Sequence, residues 1–159
     1  MQLTPVTLEG PSVRLEPLVA THLDALSRVA FDPDLWQATV SRLATRRDLE
    51  AYAEEAWDEQ RAGTALPFAT VLKATGQVIG STRFGSAAPA HRRVEIGWTW
   101  VSRPWQRSGA NREAKYLMLR HAFEQWGVNA DGSLRDSVYF SILAEEWPAV
   151  RRRLEERLG

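Results

Sequence analysis

The chain contains no cysteine, which excludes disulfides, thiolate metal sites and a cysteine nucleophile together. That absence fits a reducing compartment, and a cytoplasmic protein is expected. Lysine is nearly as scarce, since among 20 basic residues only Lys73 and Lys115 are not arginine. Net charge is absent too, because 20 acidic residues balance the 20 basic ones. Without a net field there is no bulk attraction to nucleic acid or to an anionic membrane, and neither is expected as a partner. No window approaches the roughly 18 apolar residues of a membrane span, and residues 1–10 lack the basic start and apolar run of a secretion signal. His22, His91 and His121 stand in no ligand spacing, so no metal is expected. Neither a Gly-x-Ser-x-Gly elbow nor a Gly-Lys-Ser/Thr phosphate loop occurs.

What is present is an ordinary globular mixture, 44% hydrophobic and 25% charged over 159 residues, which suits one domain (1–159) around one core. Residues 13–18 alternate as a short half-buried strand. Thr21 with Asp24 reads as a helix cap, followed by Leu23, Leu26, Val29 and Ala30 at helical spacing. Thr45 with Asp48 repeats that signature, and Leu49, Tyr52, Ala53, Ala56 and Trp57 then form an apolar face running to Gly63. Three strands in an antiparallel meander are predicted over Leu66–Lys73, Val78–Phe84 and Arg92–Val101. A third helix opens after residue 111, with Tyr116, Leu119, Phe123 and Trp126 on one face and Gly127 as its cap. A strand over Leu134–Leu143 and a last helix carrying Trp147, Val150, Leu154 and Leu158 complete the prediction. Arg151–Arg153 and Glu155–Glu156 read as pairs one helical turn apart on a solvated face.

Two places suggest chemistry. The loop Gln106-Arg107-Ser108-Gly109-Ala110-Asn111 joins a strand end to a helix start, where unpaired N–H groups and the helix dipole favour an anion. Gly109 permits close backbone approach, and Arg107 or Arg112 adds charge; an ordinary strand-to-helix turn remains the plain alternative. In the strand 92–101, strict alternation puts Val94, Ile96, Trp98 and Trp100 on one face and Arg93, Glu95, Gly97 and Thr99 on the other. Glu95 stands mid-strand near a glycine, a residue that often marks a bulge or a ligand's approach. It is a candidate general base, or else a cross-strand ion-pair partner of Arg83 or Arg93. Of the seven tryptophans, Trp36 is the one expected toward a substrate-binding pocket, because it lies in a loop.

Together the segments Val-Arg-Leu-Glu-Pro-Leu (13–18), Val-Ile-Gly-Ser-Thr-Arg-Phe (78–84), Val-Glu-Ile-Gly-Trp (94–98) and Trp-Gln-Arg-Ser-Gly-Ala-Asn-Arg-Glu-Ala-Lys (105–115) resemble the GNAT acetyltransferase superfamily. The nearest likeness is to its branch of ribosomal-protein-alanine N-acetyltransferases. Gln106 and Gly109 correspond to the superfamily's Gln/Arg-x-x-Gly-x-Gly/Ala pyrophosphate motif, whereas Asn111 replaces its usual small residue. The resemblance implies an α/β fold with a mixed, mostly antiparallel sheet flanked by helices. It implies acetyl-CoA as cosubstrate, with pantetheine along Trp98, Thr99, Trp100 and Val101 and pyrophosphate over Arg107, Ser108, Gly109, Ala110 and Asn111. It implies N-acetyl transfer to a primary amine, on a protein N-terminus or a small molecule, with Glu95 as base and no metal. The chain is shortened in its C-terminal half: between Gly127 and Leu134 the superfamily places a strand, a helix and a strand, roughly 35 residues by average element lengths. A degenerate, noncatalytic protein that binds CoA or self-associates is the alternative, and an exposed strand edge left by the shortening leads us to expect a homo-oligomer.

Overall fold

The computed structural model describes residues 2–37, 42–128 and 142–158. Its strands are β1 (Leu8–Glu9), β2 (Val13–Pro17), β3 (Leu66–Leu72), β4 (Val78–Ala88) and β5 (Arg93–Val101). They form one antiparallel sheet in chain order, β1 through β5. Helices α1 (Leu23–Ala30) and α2 (Arg46–Arg61) lie on one face. On the other lies α3 (Ala110–Arg120), which continues as a π turn over His121–Gln125, and α4 (Trp147–Glu156) packs against α3.

Helices on both faces explain why β3 is buried at every position and reads as a continuous apolar run rather than an alternating one. Val13, Leu15, Phe68, Phe84, Leu117 and Met118 build the core under α3. Leu26, Leu49, Tyr52, Ala69, Val71 and Trp100 build the core under α1 and α2. The predicted meander is present, with β4 running four residues past Phe84. The short strand β1 has no counterpart in the sequence reading.

The cap of α2 forms as expected. Thr45 Oγ1 accepts from the Asp48 N–H at 3.2 Å and Asp48 Oδ2 accepts from the Thr45 N–H at 2.8 Å. The Thr21–Asp24 cap does not form: α1 follows a 3-10 turn, Ala20–His22, and its N-cap is His22. Instead His22 Nδ1 accepts the Val19 N–H while Nε2 lies 3.0 Å from Glu16. Of the predicted face Tyr116, Leu119, Phe123 and Trp126, Trp126 is buried in this core and Tyr116 packs part-buried against it, but the main inward stripe of α3 is Ala110, Ala114, Leu117 and Met118. Tyr116 and Phe123 also turn toward Trp147 of α4, with ring centroids 6.4 and 5.1 Å away. The π turn inserts a residue and so shifts the apolar phase at the end of α3. Gly127 follows it in the left-handed region, at φ 57°, as a C-terminal cap requires. In α4, Arg151 Nε meets Glu155 at 2.8 Å, the expected pairing one turn apart. The predicted strand over 134–143 lies almost wholly outside the described residues.

Candidate active site

The site is built on an irregularity of β5. Gly97 pairs with Arg83 but Trp100 pairs with Ser81, so one extra residue is accommodated in β5, a bulge. Trp98 carries it, at φ 49°, a conformation costing an L-residue on the order of 1–2 kcal/mol. Three contacts hold it there. Tyr52 Oη donates to the Trp98 carbonyl at 3.1 Å, the Arg83 guanidinium lies over the indole, and the ring occupies the space above Gly85. A Cβ at Gly85 would stand 2.3 Å from Trp98, so only glycine fits beneath it.

The bulge overturns the predicted alternation. Val94 and Ile96 pack toward α3, but Trp98 and Trp100 pack toward α1 and α2. Thr99 and Val101 therefore face α3, where Thr99 Oγ1 lies 2.7 Å from Thr82 Oγ1. Sequence periodicity missed this because a bulge depends on pairing with β4, not on local spacing. The neighbouring Gly97 was its only signal.

Glu95 lies opposite Gly85 and accepts a hydrogen bond from Ser86 Oγ at 3.3 Å. Arg83 does not pair with it. That guanidinium is fully buried and reaches Glu55 at 3.1 Å and Glu59 at 3.3 Å on α2, so the Arg83 alternative for Glu95 is set aside. Trp36 is not in an open pocket either. It is buried against Trp100, with ring centroids 5.6 Å apart, and its Nε1 donates to the Ala30 carbonyl.

After β5 the chain makes a 3-10 turn, Arg103–Trp105, and enters the glycine loop. Gln106 Nε2 donates back to the Val101 carbonyl at 3.1 Å, fastening the loop to the strand end. Arg107 and Gly109 are both left-handed, at φ 61° and 94°. Ser108 Oγ donates to the Trp105 carbonyl and accepts from the Ala110 N–H. Gly109 is the N-cap of α3, and no atom lies within 4 Å of where its Cβ would stand. Its requirement is thus conformational, and the space beside it is open. The first N–H groups of α3, Asn111 and Arg112 among them, have no acceptor within the helix. Loop, helix start and β5 thus converge where β5 has a partner only on its β4 side among the described residues.

Two residues that the sequence reading passed over lie on α3. Glu113 is buried, and its Oε1 accepts the N–H groups of Ser12 and Val13 at 2.8 and 3.0 Å. Lys115 directs its ammonium to Thr99 Oγ1 and, at 3.5 Å, to Thr82 Oγ1. Burial pulls its pKa down to about 8. Its place three residues before Met118, on the flank of the apolar stripe, was the available signal. No group of metal-binding side chains occurs among the described residues, and no described helix is long and apolar enough to cross a membrane.

These features can be set beside known proteins. An acetyltransferase (GNAT) domain model matches residues 12–151. No curated protein matches significantly. A T. thermophilus structure described as an acetyltransferase is 31% identical, with TM-score 0.82 and full coverage of both chains. A GCN5-related N-acetyltransferase from Brucella melitensis is 25% identical at TM-score 0.83, over 100% of this chain and 88% of that one. Mycobacterium smegmatis RimJ, solved in complex with CoA-disulfide, shares the fold at 22% identity and TM-score 0.66, over 80% of this chain and 66% of that one. With the family model spanning nearly the whole chain and the α/β fold matched from end to end, this protein belongs to the GNAT acetyltransferase family.

Proposed function

We propose that this chain transfers the acetyl group of acetyl-CoA to a primary amine. The observation that carries the reading is the loop at the N-terminus of α3, with Arg107 and Gly109 left-handed, beside an edge of the bulged β5 that pairs with no further strand among the described residues. The residues fit the cosubstrate: the N–H groups of Arg107, Gly109 and Asn111 and the Arg107 guanidinium suit a pyrophosphate, while Ser108 and Ala110 hold the loop's shape through their own hydrogen bonds. The free edge over Trp98–Val101 suits the amides of a pantetheine arm. Acetyl-CoA brings an activated acyl group, and the protein's share is to hold it against the amine and manage protons. Glu95, on the face shared with Trp98, is the base that takes the amine's proton, directly or through water. Trp36 acts in this proposal through Trp100, which it supports.

Thermal shift with acetyl-CoA tests the binding step, because a ligand bound only to the native state raises Tm by mass action. No shift at millimolar acetyl-CoA would remove the reading. Gly109→Ala should weaken the shift through its strained φ, and Gly109→Leu should weaken it further by filling the open space the pyrophosphate would occupy. An amine-acetylation assay tests the chemistry: Glu95→Gln should lower turnover roughly 100-fold with the thermal shift retained. A retained shift with no turnover for the unmodified protein on any peptide N-terminus or small amine would leave the noncatalytic CoA-binding reading in its place.

A further inference from the structure

We propose that Lys115 is the proton donor to the departing CoA thiolate, an assignment that rests on the acetyl-CoA reading above and names its missing acid. The Lys115 ammonium has no counter-ion among the described residues. Lys115 Nζ is fixed on two hydroxyls, Thr99 Oγ1 of β5 and Thr82 Oγ1 of β4. Those hydroxyls contact each other and the Gly97 carbonyl, which anchors the ammonium under the bulge. An ammonium has three N–H donors, and these two hydroxyls take two of them.

No carboxylate among the described residues forms an ion pair with it. The charged groups around it are engaged elsewhere. On α3, Glu113 serves the Ser12 and Val13 amides and Arg112 donates to the Arg157 carbonyl. On β4, Arg83 is turned to α2. On β5, Glu95 lies on the face shared with Trp98, while Thr99 faces α3. From α3 itself, the other neighbour at this spot is the Met118 thioether, 3.6 Å from Thr82 Oγ1.

Burying such a charge unpaired is costly, and a fold that retains it places a cation where negative charge can develop. Position supports the thiolate as that charge. Lys115 stands six residues beyond Gly109, roughly 9 Å along the axis at about 1.5 Å per residue. It is therefore displaced from the pyrophosphate loop along the direction of β5, on whose bulge it rests. Its pKa of about 8 lies near the value of about 8.5 for a thiol, so a proton passes between them with little free-energy change.

The step balances. The acceptor nitrogen forms a C–N bond to the acetyl carbon and its proton goes to the Glu95 carboxylate. The C–S bond breaks with its electron pair on sulfur, which takes a proton from the Lys115 ammonium. Lys115 is left as a neutral amine among hydroxyls, and Glu95 and Lys115 return to their starting states by exchange with solvent.

The test reads the thiol of bound CoA by ultraviolet absorbance of the thiolate across pH, with binding established separately by thermal shift. A neighbouring ammonium should lower the thiol pKa of CoA bound to the unmodified protein by about one unit relative to free CoA. Lys115→Met should abolish that lowering while still binding CoA, and Lys115→Arg should keep it, because the charge stays. In an acetylation assay both variants should lose at least tenfold in kcat, Arg because it cannot release a proton. The kcat of the unmodified protein should fall as pH rises above about 8, and that fall should be absent from both variants. CoA binding with an unshifted thiol, or a thiol shift unchanged in Lys115→Met, would overturn the assignment while leaving the acetyl-CoA reading intact. Absence of CoA binding would instead overturn that reading and this one with it.

Discussion

The Arg83 guanidinium lies 4.0 Å from the ring centroid of Trp98, and the same group reaches Glu55 and Glu59 on α2. One fully buried cation thus couples the bulge of β5 to the helix that packs over it. Its Nη2 donates to Glu55 Oε1 at 3.1 Å, but Nε, Nη1 and Glu59 Oε2 make no hydrogen bond among the described residues, so the Glu59 contact rests on charge proximity alone. Removing the cation leaves the carboxylates unmatched and Trp98 unsupported. Glu55 and Glu59 are partly solvated, so Arg83→Ala should cost about 3 kcal/mol chiefly through the space it leaves beneath the indole. Arg83→Met, which keeps much of the volume under the indole, should cost less. Urea denaturation of both variants checks the order, and equal losses would show that charge rather than packing carries the contact.

Glu113 gives a second stability test. Its Oε1 satisfies the Ser12 and Val13 N–H groups, and Ser12 Oγ donates to Oε2, which binds the β1–β2 turn to α3. Glu113→Ala would orphan the buried Val13 N–H and release Ser12, costing about 2 kcal/mol. A Cβ at Gly10 would stand 2.2 Å from Oε1, so Gly10→Ala must push the carboxylate off these donors. The two substitutions act on one contact. Their double variant should lose clearly less than the sum of the single losses in a denaturation cycle.

How far the sequence foretold this molecule depends on the range of each interaction. The Thr45–Asp48 cap was legible because both partners lie within one turn, and so was the Arg151–Glu155 pair. The meander was legible because Thr75-Gly76 and the stretch around Pro89 punctuate it. The inversion of Trp98 and Trp100 was not, since the bulge arises from pairing with β4 and from Tyr52, 46 residues away in sequence. Arg83 looked like a partner for Glu95 because cross-strand pairing is the default for adjacent strands. Its actual partners come from a helix 28 residues upstream, a contact that no local pattern encodes. Lys115 was read only as part of a family-like segment; its chemistry comes from what surrounds it. A loop position suggests a pocket for Trp36, yet an irregular backbone can still bury an indole when Nε1 finds a carbonyl, here that of Ala30.

Lys115 also makes a pH-dependent stability prediction. Its folded pKa, about 8, lies below the ordinary 10.5, so between those values the unfolded chain binds more protons and stability rises with pH. Below pH 8 both states are protonated and the burial penalty, about 3 kcal/mol for such a shift, is fully present. Lys115→Met removes that penalty. The variant should therefore be more stable than the unmodified protein at pH 7, with the difference shrinking as pH rises from 8 to about 10.5. Paired urea titrations at pH 7 and 10 measure it. A difference independent of pH would mean that the amine is solvated.

The last prediction concerns the free side of β5. Among the described residues β5 pairs only with β4, and an unpaired strand edge is a template for another chain. The bulge at Trp98 twists part of this edge, and a second register shift, with the extra residue in β4 between Gly85 and Ala88, lies opposite Arg93–Glu95. We expect the ligand-free protein to self-associate through this edge, or to exchange elements with a second copy. If pantetheine uses the same backbone groups, acetyl-CoA and the second copy compete, and saturating acetyl-CoA should shift the population toward monomer. Sedimentation velocity at micromolar concentration, with and without acetyl-CoA, reads both effects. A monomer under both conditions, with the amides of 94–100 strongly protected from hydrogen exchange, would mean that another part of this chain covers the edge, and both the association and the competition would be wrong.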